Sequence, residues 1–134
     1  MTASTDGRNT KRRGRGVIVV PVAANTLVQV GLIACVNAAG YAVEGSTANN
    51  LIYLGCFDDT ANNNAGAAGD MEVTVRTNEV FLFENSTTDP VTQANFGDVC
   101  FIEDNQTVAA TDGGATRSKA GRVVGISNEG VWVE

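Results

Sequence analysis

The side chains able to do acid–base, nucleophilic or metal chemistry in this sequence are few and widely spaced. It has no histidine, so the commonest general base and the commonest metal ligand are both missing. The remaining candidates for proton transfer are carboxylates, in the pairs Asp58-Asp59 and Glu103-Asp104 and at Asp112. Adjacent acids on a strand point to opposite faces, so neither pair makes an acid–base dyad, and acids among Gly and Asn are ordinary turn residues. Cys35, Cys56 and Cys100 stand far apart among apolar neighbours, without the close pairing that zinc sites use. They read as buried free thiols acting as small hydrophobes, and Cys100 has no histidine to activate it. "DDTANNN" (58–64) lacks the spacing of a calcium loop and reads as a polar loop. "TDGGATR" (111–117) lacks the Lys-Ser/Thr ending of a phosphate loop, and no helical pattern follows it, so it reads as a turn. The expectation is a chain that is not an enzyme, with no catalytic residue, metal site or cofactor.

Charge carries the stronger signal. Residues 1–16 hold five of the nine basic residues, Arg8, Lys11, Arg12, Arg13 and Arg15, against one acid, Asp6, a net of +4. The other 118 residues set Arg76, Arg117, Lys119 and Arg122 against fourteen acids, a net of -10. Such a body repels the phosphate backbone, so nucleic acid is not the expected partner and any contact with it falls to the arm. The stretch that follows the arm superficially resembles a secretion signal, with twin arginines, an apolar run and "LIAC" at Cys35. Pro21, Asn25, Thr26 and Gln29 interrupt it, which leaves no clean apolar core for a signal and no membrane span. The sequons at Asn85 and Asn105 carry little weight without a visible secretory route.

The elements that would position any site are strands. Helical periodicity is nearly absent, and fifteen glycines with many Asn, Asp, Ser and Thr residues cut the chain into short pieces. Between them lie β-branched runs at 17–22, 27–36, 51–57, 71–76, 79–84, 98–104, 122–126 and 131–133. Their density predicts an all-β fold, a small β-sandwich or β-barrel with long loops, formed by residues 17–134 as one domain behind an extended arm at 1–16. Two hairpins are expected: "MEVTVRTNEVFLFE" turning at Thr77-Asn78, with Val73 and Val75 on one face, and "RVVGISNEGVWVE" turning into Gly130. "VCFI" (99–102) predicts a strand buried on both faces, in the sheet or against another subunit. Asp89 before Pro90 predicts the start of one or two helical turns. Segments 58–70 and 111–121 read as exposed loops, and Gly14 to Gly16 as a hinge.

The segment "GDVCFIEDNQTVAATDGGATRSKAGRVVGISNEGVWVE" resembles the end of small head proteins found beside the major capsid protein of tailed bacteriophages. "VPVAANTLVQVGLIACVNAAGYAVEG" is similar to their opening strands, so the resemblance spans roughly residues 17–134. It implies a capsid decoration (cement, minor capsid) protein of the Mu-like siphophage type. Such a protein is made in the host cytoplasm, sits on the outer capsid surface of the virion as a homo-oligomer, commonly a trimer, and bridges subunits of the major capsid protein. The arm matches no motif of that family. A Gly-rich cationic segment is disordered alone and can lie along an acidic groove, so Arg8, Lys11, Arg12, Arg13 and Arg15 are the expected capsid anchor. Trp132 and Phe101 are the expected subunit interface. A tail or fibre component and a head protein that contacts nucleic acid through its arm are the alternatives.

Overall fold

The computed structural model describes residues 2–134, and among these the regular structure is almost entirely β. Val17–Pro21 (β1), Ile33–Val36 (β3), Ala42–Glu44 (β4), Ile52–Phe57 (β5) and Glu72–Arg76 (β7) form one antiparallel sheet in the order β1-β7-β5-β3-β4. Phe81–Asn85 (β8), Val99–Ile102 (β9), Thr107–Ala109 (β10), Lys119–Ser127 (β11) and Gly130–Val133 (β12) close into a barrel in the order β10-β8-β12-β11-β9. Thr26–Val28 (β2) and Ala61–Asn63 (β6) pair as a separate ribbon. The all-β expectation holds, with a sheet and a barrel packed together.

The sheet is apolar on both faces because each meets a different partner. Ile33, Cys35 and Tyr53 pack with Phe83, Ile102, Val108 and Val131 of the barrel. On the opposite face Ala34, Val73, Val75 and Val20 pack with Val28 and Ala61 of the ribbon. Strand periodicity of two divides consecutive residues of β3 between these environments; on β7 it buries Val73 and Val75 on the ribbon side, as expected, and leaves Glu72 and Arg76 exposed on the other. Apolar burial of this kind stabilises by about 25 cal/mol per Å2, which makes the two cores the main source of stability.

Several expected local features differ. The run 27–36 is two strands, β2 and β3, separated by a turn in which Gly31 N–H donates to Phe57 O at 2.9 Å. Asn78 adopts a positive φ of 58° and the chain turns there, yet β7 and β8 do not pair. Both edges of β7 are occupied, by β1 and β5, so β8 crosses to the barrel and joins β12 and β10. The second hairpin forms, with Ser127 opposite Gly130 and Gly130 at a φ of 144°. β9 alternates: Cys100 and Ile102 are buried, Val99 is exposed and Phe101 half-buried, because its outer face lies on the barrel wall. The helical feature is a single 3-10 turn at Gln93–Asn95 that starts at Thr92, since Asp89 is engaged elsewhere. The polar segment 58–70 contains β6, and 111–121 runs into β11. Cys35 and Cys100 are buried free thiols, whereas Cys56 is half-buried.

Candidate functional site

The arm lies outside both cores. Residues 2–15 are exposed and form no helix or strand. Arg8, Lys11, Arg12 and Arg13 make no side-chain hydrogen bond or ion pair among the described residues, where every salt bridge uses Arg76, Arg117 or Arg122. Arg15 differs from them, because its guanidinium donates to Asn78 Oδ1 at the turn after β7. Thr77 N–H donates to Gly16 O beside it, at 2.9 Å. The expected hinge is therefore held at Arg15 and Gly16, and the unanchored segment ends before Arg15.

The two expected interface aromatics occupy different parts of the barrel wall. Trp132 pairs with Gly125 on β11 and Leu82 on β8, and it is 41% exposed. A Cβ at Gly125 would stand 2.9 Å from the indole Cδ1, so the missing side chain lets the ring lie against the wall. With Leu82 it makes a small apolar patch. Phe101 pairs with Lys119 and Ala109, six residues along β11 from the Trp132 contact. It lines an open groove of about 470 Å3 with Leu51, Asn49, Asp112 and Lys119.

The carboxylates weighed for catalysis are committed to structure. Asp58 Oδ1 accepts from Arg76 Nε at 2.8 Å. Glu103 Oε1 accepts from Ser86 Oγ at 2.6 Å and from Arg117 Nη2 at 3.4 Å. Asp112 Oδ1 accepts from Gly114 N–H at 3.2 Å, and its carbonyl accepts from the N–H groups of Thr116 and Arg117 at 2.9 and 3.0 Å. "TDGGATR" is thus a self-bonded turn. In "DDTANNN", Asn63 is buried and its amide donates to Ala23 O and Ala67 O, both at 2.9 Å, pinning the loop to the strand ends. Among the described residues no three Cys, Asp or Glu side chains come together as a metal site.

Sequence reasoning missed the role of Arg117. Its Nη1 donates to Asp89 Oδ2 at 2.9 Å and to Thr111 O at 3.1 Å, while Nη2 reaches Glu103. Asp89 Oδ2 also accepts from Thr111 N–H at 3.0 Å and Thr111 Oγ1 at 2.5 Å. Ser118 extends the clamp, donating from Oγ to Ala48 O at 2.6 Å and accepting from Leu51 N–H at 3.0 Å. Together they fasten the segments around Asp89, Thr111 and Ala48 to Leu51 to one another. The only sequence signal was that Arg117 is one of just four cations in an acidic body.

Among the described residues no helix is long and apolar enough to cross a membrane. Comparison with family models, curated proteins and solved structures gives no match.

Proposed function

We propose that this chain is a structural docking protein, a capsid decoration protein that binds the outer surface of a phage head through its arm. The observation that supports this reading is the separation of charge: four cations with no ion pair among the described residues, on an exposed arm attached to a β-body of net -10. Free guanidinium groups form bidentate pairs with carboxylates, and three tethered arms on a trimer would sum weak contacts into strong avidity. The Trp132–Leu82 patch is the proposed contact between copies, because an exposed indole beside a leucine favours burial against apolar surface. The sheet and barrel then serve as the rigid body that the arms attach, bridging neighbouring subunits of the major capsid protein.

The test is deletion of residues 1–16. The truncated chain is expected to keep its β circular-dichroism spectrum and its self-association while losing capsid binding in a co-sedimentation assay. Saturation of capsids with unchanged affinity would remove the arm from the anchoring role.

A further inference from the structure

β1 is an edge strand of its sheet; β4 reaches its outer side only past its end, where Val22 bridges Ala42, and no other strand covers Val17 to Val20 among the described residues. The direction of its backbone groups follows from the ladder. Thr77 N–H donates to Gly16 O at 2.9 Å and Val22 N–H to Met71 O at 2.8 Å. The register runs without a shift from Val17 opposite Arg76 to Pro21 opposite Glu72. Bonded and non-bonded pairs alternate in an antiparallel ladder, so Ile18 and Val20 bond to β7. Val17 and Val19 turn their backbone groups to the open edge, while the outward side at Pro21 is closed by the Val22–Ala42 bridge. Their side chains share the face away from the ribbon core, leaving Val17 50% and Val19 60% exposed.

We propose that this edge pairs with the same edge of a second copy, in a two-fold antiparallel contact centred on Ile18. In that register Val17 of each copy faces Val19 of the other. Each such pair exchanges two N–H···O=C bonds, four in all, and brings the exposed valines side by side. The edge is self-complementary: two donors and two acceptors meet the same set, and Pro21, which has no N–H, lies beyond the last pair. Charge favours a copy of this chain as the occupant. Antiparallel pairing carries each cationic arm past the other copy's Pro21 end, where exposed Glu72 and Asp70 make no ion pair among the described residues. The contact is isologous, so it uses both edges and closes without further growth. Where copies also associate in threes, it joins trimers in pairs.

This contact goes beyond the proposed function and needs no capsid, so its failure leaves the docking role of the arm untouched. The test is sedimentation equilibrium of the purified full chain beside Val19→Pro. Proline at 19 removes an outward N–H and no bond to β7, so the fold is retained. The expected result is an even-numbered assembly whose mass halves in the variant. Ile18→Cys gives an independent readout, because a non-bonded antiparallel pair brings the two Cα atoms to about 4.5 Å, within disulfide reach. Mild oxidation should yield a covalent dimer that the unaltered chain does not form. A monomer or an odd-numbered assembly, an unchanged mass in Val19→Pro, or no cross-link in Ile18→Cys overturns the proposal. If Val19→Pro does not fold, the cross-link decides alone.

Discussion

Asp89 shows how little of a residue's role is visible from its neighbours in the chain. Beside Pro90 it resembles a helix cap, but in the folded protein it holds the loop before β11. The Thr111 hydroxyl does most to keep its carboxyl below the usual carboxylate range; partial burial opposes this, and Thr111 N–H and Arg117 add to it. A folded-state pKa below the unfolded one contributes stability above the unfolded value, lost as pH falls through the folded value. Asp89→Asn is therefore expected to cost roughly 1–2 kcal/mol at neutral pH, the lower range for hydrogen bonds to a charged group at a partly exposed site. The gap to the parent should narrow as pH falls through and below the ordinary carboxylate range. Urea unfolding across that range checks it, and a gap independent of pH would show that the carboxylate charge contributes nothing. Arg117 lies 28 residues from Asp89 and 14 from Glu103, separations at which side-chain partners are invisible to any local pattern.

At the scale of elements, alternation in "MEVTVR" correctly assigned the faces of β7, and Gly130 correctly marked the β11–β12 hairpin. Partner choice was less legible. The turn at Asn78 looked like a hairpin because positive φ and flanking strands are local properties, whereas the ladder partners of β7 come from distant parts of the chain. Gly55 is a similar case. It lies where the β3–β5 register shifts, at a φ of 144°, and a Cβ there would stand 2.1 Å from Arg76 O. Gly55→Ala combines backbone strain with a clash against the main chain of β7, which flexible side chains cannot relieve. A loss of roughly 2–4 kcal/mol is expected, read as a fall in the urea midpoint. A change below about 0.5 kcal/mol would mean that β5 and β7 move apart readily.

For the whole molecule, the governing quantity is the opposition between the arm and the body. A +4 arm tethered to a -10 body can make at most about five phosphate contacts, which salt weakens steeply. The full chain is therefore expected to give no gel shift with duplex DNA even at roughly 50 mM salt. A shift that disappears on removing residues 1–16 would transfer the arm to a nucleic-acid role. Net charge, the lack of histidine and strand periodicity are sums or local patterns, so residue order alone was enough to read an all-β body with a basic arm. Which strands pair, which loops Arg117 fastens and which valines stay uncovered depend on chain segments meeting across long separations. Those were settled only on folding, when the sheet used one face for the ribbon and part of the other for the barrel, leaving β1 as an open edge at the root of the arm.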